Sequence, residues 1–305
     1  MKNLYIAAKK DRNIVFLTGD LGFGVIDDFA RDLPDQFVNV GVAEQNMAMV
    51  AAGLALSGKK VFTYSIANFN TLRCLEQLRN DVCYHGLDVT TISVGGGFSY
   101  GQLGASHFAT EDIAVMRAMP NMRVVAPSSK ADAGSLINQI IETGGPCYLR
   151  IDKSSVTEIE YQKECELGKV SIIANGPDSL SDITIFGYGG ILQQAVEAKA
   201  ELVKRGLKVT IVDVHTISPL DEDGIVEIIE KTKVVVTIEE HNKSGGLNEL
   251  IAQVVCAKGC VPSAYVSFCV PDVFSKVVGE QAYLLKHFGL DAASIVNSLT
   301  EKGLA

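Results

Sequence analysis

The 305-residue chain predicts an α/β protein built of two doubly wound domains in series, and three observations carry that expectation. Short runs rich in β-branched residues alternate with stretches of helical periodicity along nearly the whole chain. That alternation weakens once, between residues 153 and 182, where charged residues crowd around a single short apolar patch. The composition, 47% hydrophobic and 21% charged, is that of a globular chain long enough to bury two separate cores.

In the first domain, residues 1–160, the run Asn13-Ile14-Val15-Phe16-Leu17-Thr18 reads as a strand that stops at the turn Gly19-Asp20-Leu21-Gly22. A strand at 37–40 leads into a helix from Glu44. Then come a strand at 60–64, an amphipathic helix at 71–82, a strand at 88–94 and a glycine-rich loop at 95–104. A helix at 111–119, a strand at 122–125 ended by Pro127, a helix at 130–143 and a strand at 147–151 complete the unit. Strands this short, separated by helices this long, pair in parallel with helices on both faces. Residues 161–181, including Asn175-Gly176-Pro177-Asp178, read as a linker. The second domain, residues 182–305, repeats the alternation. Its strands fall at 183–187, 208–212, 234–238 and 264–268, its helices at 192–204, 221–231, 247–255 and 292–299.

Charge and composition exclude several classes. A net charge of −9, with no Lys or Arg run beyond a solvated helix face, argues against nucleic acid. No stretch approaches the ~18 apolar residues of a membrane span, and Met1-Lys2-Asn3-Leu4-Tyr5 lacks the apolar region of a signal peptide, so a cytoplasmic protein is expected. The seven cysteines are scattered, mostly in apolar runs, which suits reduced, buried thiols.

In parallel sheets ligands gather beyond the carboxyl ends of the strands, and Asp20, Glu44, the 95–104 loop and Arg150 all fall there. Glu44 is the most informative. It begins Glu44-Gln45-Asn46-Met47-Ala48-Met49-Val50-Ala51-Ala52, which reads as a helix buried on nearly every side, and a buried carboxylate needs a partner that offsets desolvation. Either something from outside the chain meets it or it caps the helix and reaches water. His107, beside Tyr100 and Ser106 on a glycine-dense loop, is either a titratable group at the edge of a ligand site or an ordinary loop histidine. Arg150 offers a planar fork to a carboxylate or phosphate; the plainer alternative is an interdomain ion pair. Gly97-Phe98-Ser99-Tyr100-Gly101 spells the nucleophile elbow of a serine hydrolase with Ser99 at its centre, but the residues after it start a helix poorly. Gly187-Tyr188-Gly189-Gly190-Ile191-Leu192, with Asp213 ending the next strand, imitates a dinucleotide fingerprint with Leu192 in the third glycine's place. A tight strand-to-helix turn is the better reading of it.

Gly41-Val42-Ala43-Glu44-Gln45, the preceding Gly19-Asp20-Leu21, Gly104-Ala105-Ser106-His107, Pro120-Asn121-Met122 with Val124-Val125-Ala126-Pro127, and Arg150 together resemble the C-terminal half of transketolase. Thr216-Ile217-Ser218-Pro219-Leu220 and Glu239-Glu240-His241 with Gly245-Gly246 extend the resemblance to the end of the chain. It implies a thiamine-diphosphate pyrimidine-binding fold followed by a transketolase C-terminal domain. The Glu at the Glu44 position then hydrogen-bonds N1′ of the cofactor's aminopyrimidine and prepares C2 of the thiazolium for carbanion chemistry. By the same resemblance Phe69 packs on the pyrimidine with Tyr64 close by, and Asp20 lies near the reacting centre. His107 touches substrate oxygens and assists proton transfer, and Arg150 holds a sugar phosphate.

One absence qualifies this picture. The family's diphosphate and Mg²⁺ are held by a domain that opens with Gly-Asp-Gly, and here Gly19-Asp20-Leu21-Gly22 breaks that pattern. The expected protein is therefore the C-terminal (β) subunit of a split transketolase. An N-terminal subunit would complete its cofactor site in an α2β2 assembly, and a two-carbon ketol unit would pass between sugar phosphates. Leu103, where relatives carry an Asp four residues before the loop histidine, and Gly95-Gly96-Gly97, in place of polar residues, point to a specialised sugar acceptor. The rivals are a deoxyxylulose-phosphate synthase-like enzyme, a 2-oxo-acid dehydrogenase β subunit, the serine hydrolase, and a non-catalytic subunit that keeps the fold.

Overall fold

The computed structural model describes residues 1–153, 156, 165–173 and 180–305. The charged stretch 157–164 and Asn175-Gly176-Pro177-Asp178, both within the weak region of the sequence, lie outside the described residues. Twelve strands are present among those described: β1 (Ile14–Thr18), β2 (Phe37–Asn39), β3 (Lys60–Ile66), β4 (Val89–Val94), β5 (Arg123–Val125), β6 (Cys147–Ile151), β7 (Ser171–Ile172), β8 (Ser181–Gly187), β9 (Val209–Asp213), β10 (Thr216–Ser218), β11 (Thr232–Asn242) and β12 (Ala264–Val270).

They form two sheets, β10-β5-β6-β4-β3-β1-β2 and β12-β11-β8-β9-β7. Each is parallel except at one edge, where β10 runs antiparallel to β5 and β7 antiparallel to β9. The two edge strands were not expected. Ser171–Ile172 falls within the span read as linker, and Thr216–Ser218 leaves the second sheet's β9 to pair with Val124 and Val125 of the first. Pairing at a parallel sheet's edge satisfies backbone groups that water would otherwise have to serve.

Apolar faces on both sides of each sheet make three clusters. One, with Phe16, Phe29, Phe62 and Leu149, lies under helices Lys2–Lys10 and Lys130–Thr143. A second fills the outer face of the other sheet around Ile185, Ile211 and Val236. The third is continuous across both domains, running from Met47, Ala51 and Val61 through Met116, Met122 and Tyr148 to Phe186, Val212, Ile225 and Ile251. A shared apolar core of this kind makes the two units one packed body rather than beads on a linker.

A charged knot sits within that contact. Arg150, 1% exposed, donates from Nη1 to Asp112 Oδ1 at 3.4 Å, from Nε to Asp152 Oδ1 at 3.2 Å and from Nη2 to the Glu240 carbonyl at 3.3 Å. Asp112 also accepts from the Tyr148 hydroxyl at 2.5 Å, and Asp152 Oδ2 accepts from the Gly190 amide at 2.8 Å. Arg150 thus differs from the phosphate ligand expected of it: its described donor contacts all go to the chain itself, and its ion pairs, with Asp112 and Asp152, lie within the first domain instead of between domains, only the Glu240 carbonyl reaching it from the second. The reason is position. β6 is an interior strand that runs into the second domain, so its last residues meet protein instead of solvent.

The glycines before it have a matching cause. A Cβ on Gly96 would lie 1.9 Å from Arg150 Nε, and one on Gly97 would lie 2.6 Å from Glu240 Cδ. Gly96 and Gly97 are therefore the floor on which the knot packs, while Gly95 makes room for the Tyr100 ring, and a polar residue at any of the three would have no room.

Glu240 is the knot's excess charge. Its carboxylate accepts from the Phe98 amide at 2.8 Å and from Gln281 Nε2 at 3.0 and 2.9 Å, yet burial and the neighbouring Asp152 push its pKa up to about 7 against the partial relief from Arg150. A carboxyl raised in this way binds its proton more tightly when folded than unfolded. Its contribution is fully present below about pH 4.5 and is lost as pH rises to about 7. Glu240→Gln should therefore raise the melting temperature above pH 7.5, by a free energy on the order of 3 kcal/mol, with the difference vanishing by about pH 4.5. Calorimetric melts across that range would show it; a pH-independent difference would place the effect elsewhere.

Candidate active site

In the first sheet the chain turns from β1 to β2 on one side and to β3 on the other, so the carboxyl ends of β1 and β3 diverge and leave a crevice. Gly19 and Asp20 follow β1 there, the helix Glu44–Leu56 begins beside them, and the one-turn helix Ala67–Asn70 follows β3. Glu44 is the first residue of its helix and its side chain is 2% exposed. It does not cap its helix. Its Oε1 accepts from Ser65 Oγ at 3.3 Å and its Oε2 accepts from Arg73 Nη1 at 2.7 Å. The positive end of the helix dipole adds to this support.

The helix itself departs from the expectation of all-round burial. Met47, Ala48, Ala51 and Ala52 face the sheet, whereas Gln45, Met49, Gly53 and Leu56 face outward, with Val42 74% exposed in front of them. Val42, Met49 and Leu56 thus leave apolar surface open beside a buried carboxylate, next to the polar Gln45 and Asn46.

Phe69, Arg73 and His107 close the crevice. The regular amphipathic helix expected at 71–82 is instead a chain of short pieces: a 3-10 turn at Leu72–Cys74, a helical turn at Leu75–Gln77 and a π-helical stretch at Leu78–Cys83. Thr71 Oγ1 donates to the Ala67 carbonyl at 2.6 Å and Asn70 Nδ2 to the Ile92 carbonyl at 3.0 Å, and these bonds hold the chain out of a single helix. Arg73 consequently folds back over Phe69, with Cζ 4.2 Å from the ring centroid. His107 meets the same ring edge-on at 5.0 Å, and its Nδ1 lies 3.0 Å from Ser106 Oγ. Asn68 Nδ2 donates to the Ser106 carbonyl at 3.1 Å, fastening the loop. Burial and then the charge of Arg73 lower the His107 pKa, so its imidazole is neutral near pH 7 and can both give and accept a proton.

Asp20 stands exposed at the mouth with φ +57°, its Oδ1 accepting from Asn39 Nδ2 at 3.0 Å and its own amide donating to Asn39 Oδ1 at 3.2 Å. The left-handed backbone keeps it at the lip instead of continuing the strand.

Glu44, Phe69, His107 and Asp20 are thus brought together, and Tyr64 is not. Along β3 side chains alternate, which puts Ser65 on the face of the Glu44 helix and Tyr64 on the opposite face beside Phe62. Tyr64 packs against Phe16 at 6.0 Å, and burial pushes its pKa up to about 12. Ser99 is also elsewhere: its Oγ accepts from the Lys153 amide at 3.4 Å, and a three-residue 3-10 turn, Gly101–Leu103, stands where an elbow needs a helix. The Gly187–Leu192 turn presents its Gly190 amide to Asp152, so the chain's own carboxylate fills the place of a cofactor phosphate.

Sequence reasoning missed Arg73 and Ser65. Arg73 had a signal: it is the sole Lys or Arg between Lys60 and Arg79, hence the only cation in the segment that follows β3 into the crevice. Ser65 had only its β3 register.

The residues present fit one half of a thiamine diphosphate. A buried carboxylate with hydrogen-bonding capacity, an aromatic face and a neutral histidine suit a flat, edge-donating heterocycle.

Residues 2–158 match the transketolase pyrimidine-binding domain and residues 168–295 the transketolase C-terminal domain. A Methanocaldococcus jannaschii chain described provisionally as a transketolase C-terminal section is 40% identical over 96% of this chain and 92% of its own length. One of the subunits of the apulose-4-phosphate transketolase of Phocaeicola vulgatus is 34% identical over 96% of this chain and 93% of its own. A solved split-gene transketolase, an inactive β4 tetramer, superposes with a TM-score of 0.85 at 33% identity, covering 98% of this chain and 95% of that one. With its two domain matches and these relatives along nearly its full length, the chain belongs to the transketolase family.

Proposed function

We propose that this chain is the C-terminal (β) subunit of a split, thiamine-diphosphate-dependent transketolase that moves a two-carbon ketol unit between sugar phosphates or to a specialised sugar acceptor. The observation that carries the reading is the buried Glu44 carboxylate at the β1/β3 switch point, under Phe69 and within reach of the His107 loop. Bound there, the cofactor supplies the carbanion chemistry that breaks and remakes the carbon–carbon bond next to a ketose carbonyl.

The chain's own residues prepare that chemistry. Glu44 faces the ring nitrogen of the aminopyrimidine and holds the proton shared with it in a site with little water, where a charge-assisted hydrogen bond is strongest. Phe69 offers its face to the ring. His107, neutral and donor-acceptor in character, exchanges a proton with a substrate oxygen, and Asp20 lines the entrance. Arg150 serves by position: its knot fixes the loop that carries His107, while the substrate's phosphate is held by other groups. Mg²⁺ and the diphosphate belong to an N-terminal partner subunit, which docks on the apolar outer face of the Glu44 helix in an α2β2 assembly. The split relatives support this division, as does the β-only tetramer of the solved one being inactive. No helix among the described residues is long and apolar enough to cross a membrane, and all seven cysteines are free, which suits the cytoplasm.

Glu44→Ala, reconstituted with the partner, should lower turnover about 10²-fold or more with the far-ultraviolet circular dichroism unchanged. Retained turnover would sink the assignment. Phe69→Ala should weaken thiamine diphosphate binding about tenfold in calorimetric titration, whereas Tyr64→Phe should leave it as it was. The reverse order would put the ring on the other face of the sheet.

A further inference from the structure

Arg73 touches both residues assigned to the aminopyrimidine, and it does so as a flat, edge-donating heterocycle would. Its Nη1 donates to Glu44 Oε2 at 2.7 Å while its guanidinium carbon lies 4.2 Å from the centroid of Phe69. A guanidinium is planar, carries its N–H donors around the rim and stacks on aromatic faces. Glu44 is 2% exposed and its other oxygen has only the longer contact with Ser65, so its short bond is the one Arg73 makes. Phe69 has the edge of His107 on one side of it. Neither Glu44 Oε2 nor the covered face of Phe69 can serve Arg73 and a pyrimidine at once.

We propose that Arg73 holds the aminopyrimidine's place in the chain on its own and swings outward when thiamine diphosphate enters, so that it sets the cofactor's affinity. This rests on the reading of Glu44 and Phe69 given above. The physical need is plain: a buried carboxylate left without a cation is costly, and Arg73 meets that need until the cofactor does. Arg73 is also free to leave, because its side chain is 43% exposed and the surface beside it, lined by Gln45, Glu76 and Asn80, is open. Glu76, three residues on, offers the released guanidinium a carboxylate in water, where such a pair costs little to form or break.

The test is calorimetric titration of the partner-reconstituted enzyme with thiamine diphosphate and Mg²⁺, using wild type, Arg73→Met and Arg73→Lys. Arg73→Met keeps the aliphatic stem over Phe69 and removes the competing fork. It should bind the cofactor about three- to tenfold more tightly than wild type, with Arg73→Lys in between, and the cofactor-free Arg73→Met chain should melt at a lower temperature. Equal affinity in all three overturns the proposal. Weaker binding by Arg73→Met also overturns it and makes Arg73 a ligand of the cofactor, leaving the Glu44 site standing. If the wild-type complex takes up no cofactor at all, the site reading itself fails, and this proposal with it.

Discussion

A carboxylate taken out of water demands a partner, and both crevices of this chain are shaped by that demand. At the β1/β3 switch point the demand is left adjustable. Glu44 is buried, but its cation sits on a half-exposed side chain that can be exchanged. At the domain contact the demand is met permanently. Arg150 lies among Asp112, Asp152 and the Glu240 carbonyl with no face open to solvent, and removing the Asp112 or Asp152 carboxylate from such a knot costs about 3–5 kcal/mol. Burial alone therefore does not identify a binding site; the exposure of the counter-charge separates the two cases.

The second sheet has a switch point of its own, between β8 and β11, where α/β proteins commonly bind ligands. Here that crevice is spent on the fold. Asp152 fills the Gly190 amide, and Glu239 accepts from the Leu247 and Asn248 amides at 2.7 and 2.9 Å, occupying the start of helix Leu247–Lys258 as an anion would. His241 Nε2 accepts from the Ala114 amide of the first domain at 3.2 Å. The Glu239-Glu240-His241 run, which looked like a family mark without chemistry, works as the clasp between domains.

Much of this was legible in the sequence, and the exceptions have specific causes. The parallel strands were readable because β-branched runs of four to six residues between helices have few other uses. Glu44 was readable because it opens an otherwise apolar helix. Tyr64 was misplaced because the face of β3 that meets Glu44 is fixed by Ser65, a contact only the structure shows; from it the two-residue period of β3 sends Tyr64 to the other side. Arg150 and Gly97 could not be placed, since Arg150 pairs with Asp112 of another element and both are met by Glu240 of the second domain. The breakup of the 71–82 segment was equally hidden, for it depends in part on Asn70 bonding to the Ile92 carbonyl, which only the fold brings near.

The helix Glu44–Leu56 joins these threads. Its inner face of Met47, Ala48, Ala51 and Ala52 is committed to the sheet, its first residue carries the carboxylate, and its outer face of Val42, Met49 and Leu56 remains apolar and open. A residue at a helix start shares its surroundings with whatever covers that helix. A chain docking on the outer face would thus exclude water from Glu44 and raise the electrostatic value of every contact it makes. A partner subunit on that face, as proposed above, would supply the cover that this chain leaves open. On that proposal, association and the readiness of Glu44 for chemistry would be one physical event, since the same few residues of one helix would serve both.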